Sequence, residues 1–206
     1  MNSTTAHWDK IFTTTEDASL GWYENDPGQT LAMLDRVPDW SNATLFLPGA
    51  GTSVLIDALL DRGATLILND ISPEALNKVR ARLGDRGVGI TWLCQDISQP
   101  LPANLPPVDI WIDRAVLHFL LDEAAIQSYF ENVKAALRPG GHALFAEFSL
   151  VGATHCAGLP LHRYSTEELG ERLGAGFELV QETDYTYFNP GGDPRPYVYA
   201  LFKSVK

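Results

Sequence analysis

Short apolar runs alternate along the chain with segments in which apolar residues recur at helical spacing. The runs predict strands that helices cover on both sides, and they lie at residues 45–47, 65–68, 89–94, 108–112 and 143–146. The clearest helical pattern follows Asp122, where apolar residues recur at i, i+3, i+4, i+7 and i+11 from Ile126 to Leu137. This alternation predicts an α/β fold with a mainly parallel sheet.

The two ends of the chain depart from that alternation. Residues from about 5 to 36 predict a helical lead-in, and the aromatic pair Trp22 and Tyr23 lies on a loop inside it. Near the other end, Ser165-Thr-Glu-Glu168 is a capping box that opens a helix. The β-rich segments 177–185 and 197–202 flank a turn rich in proline and glycine, which predicts a C-terminal antiparallel hairpin.

A glycine turn follows the first predicted strand. The run at 45–47 ends at Pro48, and Gly49-Ala-Gly51 separates it from a helical pattern that begins at Val54. A strand, a glycine turn and a helix N-terminus let the backbone approach a ligand closely and direct free N–H groups at it. Gly-x-Gly alone is weak support for a ligand, so the interpretation depends on other residues.

Acidic residues follow the next predicted strands. In open α/β sheets, ligands bind outside the carboxyl ends of the strands. Asp70 lies about 20 residues beyond the glycine turn, the distance at which a carboxylate reaches both hydroxyls of a ribose. Asp96, one strand over, could accept from the exocyclic amine of adenine. Either acid alone is also consistent with a turn cap, but together with the turn they predict an adenosine-containing ligand.

Composition restricts the possible partners and the compartment. The 206 residues suit a single domain, and the formal net charge of −11 argues against nucleic acid or an anionic membrane as a main partner. No run approaches the length of a membrane span, and the start of the chain lacks the features of a signal peptide. Two cysteines, Cys94 and Cys156, offer no disulfide framework, which favours a reducing cytoplasm.

An adenosine ligand leaves two enzyme classes. A nicotinamide dehydrogenase would have a third glycine where this chain has Val54, and it would usually carry a further substrate domain. Other motifs resemble those of the class I S-adenosylmethionine-dependent methyltransferases, and the resemblance covers essentially the whole chain. These motifs are Leu47-Pro-Gly-Ala-Gly51, Asn69-Asp-Ile-Ser72, Gln95-Asp-Ile97, Arg138-Pro-Gly-Gly141 and the closing hairpin.

The resemblance implies a fold and a domain organisation. The expected fold is a Rossmann-like, seven-stranded, mainly parallel sheet with helices on both faces and the C-terminal antiparallel hairpin. Residues 1–206 would form a single methyltransferase domain, in which residues 1–40 are a helical lead-in or lid over the cofactor cleft. One departure is that the first strand of the family usually ends in an acid, whereas this chain has Leu47-Pro48. Asp113 or a backbone carbonyl would then have to contact the methionine amino group.

The resemblance also implies cofactor contacts for S-adenosyl-L-methionine. Gly49 and Gly51 would pass under the methionine part, Asp70 would bind the ribose, and Asp113 would lie beside the sulfonium. Trp22 and Tyr23 either pack the lead-in onto the core or cover the ligand at the glycine turn. The residues expected to contact the cofactor are Trp22, Pro48, Gly49, Gly51, Asp70, Ile71, Asp96, Ile97, Asp113 and Arg114.

The methyl acceptor is less well defined. Asp113-Arg114-Ala-Val is similar to a segment of thiopurine and other small-thiol methyltransferases, which favours a small-molecule acceptor such as a thiol. The Trp-Asp and Trp-Tyr pairs of the lead-in also resemble some protein-lysine methyltransferases, which the net charge permits. A small-molecule oxygen acid as acceptor is a third alternative, and a cofactor-binding scaffold without catalytic activity is a fourth.

Candidates for the catalytic and substrate-binding groups follow from position. Asp113 lies beside the expected sulfonium, and His118 would serve as general base if it projected into the cleft, although a partly buried histidine bonded to backbone fits equally well. The candidates for substrate binding are Tyr23, His118, His155 and Arg163. The last two lie on a loop predicted at about 152–164, which follows the fifth strand, where a lid over the methyl site would lie. The set of His155, Cys156 and His162 lacks a further ligand, so we expect no metal site.

Overall fold

Strands and helices alternate in the computed structural model, which describes residues 3–205. The strands are β1 Thr44–Leu47, β2 Thr65–Asp70, β3 Thr91–Cys94, β4 Val108–Arg114, β5 Leu137–Phe148, β6 His155–Cys156, β7 Leu159–Pro160, β8 Phe177–Phe188 and β9 Pro194–Ser204. The α-helices are α1 Thr5–Thr14, α2 Gly28–Leu34, α3 Leu55–Leu60, α4 Pro73–Leu83, α5 Glu123–Ala136 and α6 Thr166–Leu173. Short 3-10 helices occupy Asp17–Ser19, Trp40–Asn42, Gly84–Gly87 and Leu117–Phe119.

Seven strands form one sheet in the order β3-β2-β1-β4-β5-β9-β8. The first five strands of that order are mutually parallel, whereas β9 is antiparallel to both β5 and β8. The predicted fold class, including the C-terminal antiparallel hairpin, is therefore confirmed. Successive strands are added outward from β1 to β3 on one side and from β4 onward on the other, so the strand order reverses between β1 and β4. Ligands bind outside the carboxyl ends of strands at such a switch point.

Alternating residues of the central strands enter two hydrophobic cores, one on each face of the sheet. Leu45 and Leu47 belong to one core, and Phe46 of the same strand belongs to the other. The ring of Phe46 stacks on that of Trp111 with 4.2 Å between centroids. Because successive side chains of a strand point to opposite faces, a short apolar run is buried on both sides when helices cover both.

Capping residues open three of the helices, α4, α5 and α6. The side chain of Ser72 accepts from the amide of Ala75, and that of Asp122 accepts from the amide of Ala125. Ser165 accepts from the amide of Glu168. In each case the oxygen satisfies an N–H group that has no partner within its helix.

The fifth strand is longer than the apolar pattern predicts. The pattern ends at Ala146, but β5 pairs with β9 as far as Phe148 and buries Glu147 completely. A charged residue ordinarily ends an apolar run, and Glu147 is accommodated because it has polar partners inside the protein. The predicted loop 152–164 also contains a small antiparallel pair, β6 and β7.

The lead-in lies against the start of α4. Trp8, Phe12 and Leu20 form a buried cluster with Ala75. Asp9 accepts hydrogen bonds from the hydroxyl of Ser72 and from the amide of Glu74. These contacts hold α1 beside the carboxyl ends of the parallel strands. Within residues 3–205, no helix is long and apolar enough to cross a membrane.

Candidate functional site

The turn after β1 requires glycine for two reasons. Gly49 and Gly51 have φ angles of +47° and +52°, in the left-handed region that most side chains avoid. A Cβ atom at Gly49 would lie 2.5 Å from Cγ2 of Val116, and one at Gly51 would lie 3.4 Å from Cζ of Phe12. The backbone of this turn therefore approaches neighbouring groups in a way that a side chain at residue 49 would prevent.

Asp70, at the end of β2, fastens the glycine turn to the start of α4. Its Oδ2 accepts from the amide of Gly51 at 2.8 Å, and its Oδ1 accepts from the amide of Ser72 at 2.8 Å. The residue is 4% exposed, and burial raises the pKa of its carboxyl to about 6 although the amides of Ser72 and Gly51 oppose the shift. The group is therefore mostly ionised at pH 7.

A cavity opens at the carboxyl ends of the strands beside this turn. Its walls combine carboxylates, apolar side chains and a group of aromatic rings from the lead-in and from Phe119. Eight residues predicted to contact the cofactor meet around it, namely Trp22, Gly49, Gly51, Asp70, Ile71, Asp96, Ile97 and Arg114. Their individual roles stay predictions. One oxygen of Asp96 accepts from both the amide and the hydroxyl of Ser98.

A second cavity adjoins the first and shares Trp22, Gly49, Gly51 and Arg114 with it. The predicted residues Tyr23 and Pro48 line this second cavity. Its charged lining side chains, within residues 3–205, are Arg114 and Glu24.

Glu24 and Arg114 form an ion pair between the lead-in and the end of β4. Oε2 of Glu24 lies 2.8 Å from Nε of Arg114, and both side chains are only 11% exposed. Arg114 also donates to the carbonyl of Trp22 at 3.2 Å, and its guanidinium carbon lies 5.2 Å from the ring centroid of Tyr187. Burial raises the pKa of Glu24, and the positive charge of Arg114 offsets part of that effect.

Three buried atoms of this ion pair have no hydrogen-bond partner among the described residues. They are Oε1 of Glu24 and the Nε and Nη2 atoms of Arg114, of which Nε still lies within ion-pair distance of Glu24. Unpaired buried polar atoms are uncommon in native proteins, and each calls for an explanation. Glu24 is not among the residues predicted from the sequence. The neighbouring hydrogen bond from Arg114 to the carbonyl of Trp22 joins residues that are 92 positions apart in the chain.

Asp113 does not line either cavity, contrary to the prediction that it lies beside the cofactor. Its carboxylate is fully buried and accepts from the amides of Val116 and Leu117 and from the hydroxyl of Tyr129. Burial, together with the nearby Glu147, raises its pKa well above the usual range. The side chain holds the turn after β4, so its position at a strand end does not bring it to the ligand.

His118 is likewise absent from both cavity linings, so the structure does not support the prediction of a general base that projects into the cleft. The residue is fully buried, and its Nδ1 lies 2.6 Å from Oε2 of Glu147. Burial lowers the pKa of His118 to about 3, so the imidazole is neutral near pH 7, and burial raises the pKa of Glu147 above its usual range. The 3-10 turn at Leu117–Phe119 directs Phe119 to the cavity and His118 to the interior.

His155 and Arg163, predicted to bind substrate, also lie outside both linings. His155 is exposed on β6, and Arg163 donates to the carbonyls of Leu150 and Gly152. The loop after β5 thus folds onto its own start, whereas sequence order suggested that it covers the site. In the part of the chain from 3 to 205, no group of three or more His, Cys, Asp or Glu side chains could hold a metal ion.

Comparison with known proteins agrees with this arrangement. Residues 48–141 match the family model of a methyltransferase domain. Residues 48–141 therefore form a methyltransferase domain. Nodulation protein S of Sinorhizobium fredii is 28% identical over 97 residues, which cover 47% of this chain and 44% of that protein. The chain thus spans less than half the length of this relative. The family predicted from the motifs is confirmed.

Solved methyltransferase structures share the fold over nearly the whole chain. A SAM-dependent methyltransferase from Anabaena variabilis has a TM-score of 0.78 at 14% identity and covers 97% of this chain and 93% of its own. The N-methyltransferase NodS of Bradyrhizobium japonicum, solved with S-adenosyl-L-homocysteine, has a TM-score of 0.67 at 18% identity and covers 97% and 100%. At such identities the likeness concerns the fold alone.

Proposed function

We propose that the protein binds S-adenosyl-L-methionine at the glycine turn and transfers its methyl group to a small-molecule acceptor. The observation that carries the proposal is the glycine turn itself, which Asp70 holds against the end of β2 and in which a Cβ at residue 49 would lie 2.5 Å from Val116. The cofactor, when bound, supplies a sulfonium-activated methyl group. The protein then supplies proximity and alignment.

The lining of the first cavity suits the adenosine part of that cofactor. Ile71 and Ile97 offer apolar surface for a base, and Asp96 offers an acceptor for an exocyclic amine. Each oxygen of Asp70 already accepts one backbone hydrogen bond, but a carboxylate oxygen has two lone pairs, so acceptor capacity for a ribose hydroxyl remains.

The way in which the lead-in covers the cavity favours a small acceptor. The hydroxyl of Tyr187 donates to the carbonyl of Gly21 at 2.6 Å, and Lys78 forms an ion pair with Asp17 at 3.1 Å. Aromatic rings from this cover and from Phe119 form part of the wall. A covered, aromatic-lined cavity suits an apolar or aromatic small molecule better than a lysine on the surface of a folded protein.

The charged lining residues favour an acceptor that needs no general base. Within residues 3–205, the charged groups that line the two cavities are Asp70, Asp96, Glu24 and Arg114. Asp70 and Asp96 would bind the adenosine part and Glu24 forms an ion pair with Arg114, whereas the neutral His118 lies behind the wall. A neutral amine or ring nitrogen, or a thiol that ionises by itself, meets this condition. The N-methyltransferase activity named for NodS favours nitrogen.

Calorimetry with S-adenosyl-L-methionine and S-adenosyl-L-homocysteine tests the first half of the proposal. We expect both to bind at one site per chain, and no binding to either would overturn the proposal. A methyl-labelled donor offered with panels of amines, aromatic nitrogen heterocycles, thiols and lysine peptides tests the second half. Transfer to small nitrogen compounds is the expected result. Transfer only to peptide lysine would overturn the small-molecule assignment, and binding without transfer to any acceptor would favour a scaffold.

A further inference from the structure

The second cavity has a distinctive distribution of charge. Leu47 and Pro48, at the end of β1, contribute no charge to it, and its described lining contains one carboxylate and one guanidinium. Glu24 comes from the lead-in, whereas Arg114 comes from the end of β4. A site with one charge of each sign suits a ligand group that also carries one charge of each sign.

The ion pair leaves hydrogen-bonding capacity unused on both sides. Oε2 of Glu24 contacts Nε of Arg114, while Oε1 of Glu24 and Nη2 of Arg114 are buried without a partner in the described chain. Burying two charges carries a large desolvation cost, which is compensated only when the remaining donors and acceptors are also satisfied. An α-amino acid group satisfies both, because its ammonium donates to a carboxylate and its carboxylate accepts from a guanidinium.

We propose that Glu24 and Arg114 together bind the free amino-acid end of the methyl donor, Glu24 through the ammonium and Arg114 through the carboxylate. This inference rests on the proposed function. It adds the two residues that would contact the part of the cofactor that adenosine lacks. A carboxylate in the lead-in thereby takes the place of an acid at the end of β1.

The residues around the ion pair orient Glu24 and Arg114 without contacting Oε1 of Glu24 or Nη2 of Arg114 through a hydrogen bond. Arg114 donates through Nη1 to the carbonyl of Trp22, and the rings of Tyr187 and Tyr197 lie within 5.2 and 5.7 Å of its guanidinium carbon. The hydroxyl of Tyr187 also donates to the carbonyl of Gly21. The same contacts that orient Arg114 therefore fix the loop that carries Glu24.

Truncated ligands separate this inference from the function on which it rests. S-adenosyl-L-homocysteine carries the amino-acid end, whereas 5′-methylthioadenosine lacks it and keeps the base, ribose and sulfur. Calorimetry should measure the affinity of both ligands for the wild type, for Glu24→Gln and for the matched control Asp26→Asn. The control removes the same charge from an exposed residue of the same segment.

We expect Glu24→Gln to weaken S-adenosyl-L-homocysteine by about 10- to 100-fold, since a hydrogen bond to a charged group is lost, and to leave 5′-methylthioadenosine within about twofold. Asp26→Asn should leave both affinities unchanged. Arg114→Lys, which keeps the charge but loses the planar fork, should likewise discriminate between the two ligands.

Three results would contradict the inference. Equal weakening of both ligands by Glu24→Gln would show that Glu24 only supports the loop. Unchanged affinities in that variant would show that it does not contact the amino-acid end. Equal affinity of the wild type for both ligands would leave the proposed function standing while removing this assignment. Failure of the wild type to bind either ligand would instead overturn the proposed function together with the inference.

Discussion

The buried carboxyl of Asp70 makes the stability of this protein depend on pH in a way that a single substitution removes. Asp70→Asn replaces the titrating group by an amide of nearly the same shape. The amide oxygen can still accept one of the two backbone hydrogen bonds, from Gly51 or from Ser72. The loss of the other bond destabilises the variant by an amount that does not vary with pH. The pH-dependent part of the difference in unfolding free energy therefore reports on the ionisation of the Asp70 carboxyl alone.

The magnitude follows from the shift of the Asp70 pKa. Burial raises the pKa of Asp70 from its ordinary 3.8 to about 6 in the folded protein. At 1.36 kcal/mol for each pKa unit, ionisation of this carboxyl therefore destabilises the fold by about 3 kcal/mol. Because the folded pKa is the higher one, the protonated group contributes fully below about pH 4. That contribution is lost as the pH rises through about 6.

Urea unfolding of the wild type and Asp70→Asn between pH 4 and pH 8 measures this effect. The difference in unfolding free energy, wild type minus variant, should fall by about 2–3 kcal/mol across that range and level off above about pH 7. Asp85→Asn, which alters an exposed carboxyl, should give a curve parallel to that of the wild type. Parallel curves for Asp70→Asn and the wild type would refute burial as the cause of the raised pKa.

Further predictions concern the glycine turn, the buried histidine and the lead-in. Gly49→Ala should abolish cofactor binding or lower the melting temperature strongly, because the new Cβ would lie 2.5 Å from Val116 at a positive φ; no change in either would contradict the tight approach, and Val116→Ala in the same chain should restore part of the loss. His118→Asn should lower the melting temperature and leave the profile of kcat against pH unchanged near pH 6–7, because burial lowers the pKa of His118 to about 3. Loss of an ionisation near pH 6–7 in this variant would restore His118 as a general base. Tyr187→Phe should weaken cofactor binding by about 1 kcal/mol, because the hydrogen bond to the Gly21 carbonyl is lost; calorimetry checks this, and an unchanged affinity would show that this bond does not support the covered site.

Local signals predicted most of the secondary structure correctly. Ser72, Asp122 and Ser165 are capping residues whose effect depends on the three residues that follow them, so their helices could be predicted without knowledge of the rest of the fold. The acid at the end of β2 and the glycine turn also belong to short motifs. Their meeting at one cavity follows from the parallel sheet, in which the carboxyl ends of the strands share an edge.

Other features depend on contacts between distant segments, and sequence patterns do not contain them. Asp113 follows a strand as Asp70 and Asp96 do, yet it turns inward because Tyr129 of α5 donates to it. Glu147 ends an apolar run but is buried because His118 lies beside it. A similar contact, between Glu24 and Arg114, supplies the charges of the second cavity. In each case the partner comes from another element, and its position is fixed only by the folded chain.

The hydrogen bond from Ser72 to Asp9 also constrains the order in which the protein assembles. It joins residues 63 positions apart, and its donor caps a helix that exists only once β2 and α4 have formed. Although α1 comes early in the chain, it has no partner surface until that later unit has folded. The lead-in therefore cannot dock before that unit has formed. Loss of its contacts alone would open the cavity and leave the hydrogen bonds of the seven-stranded sheet intact.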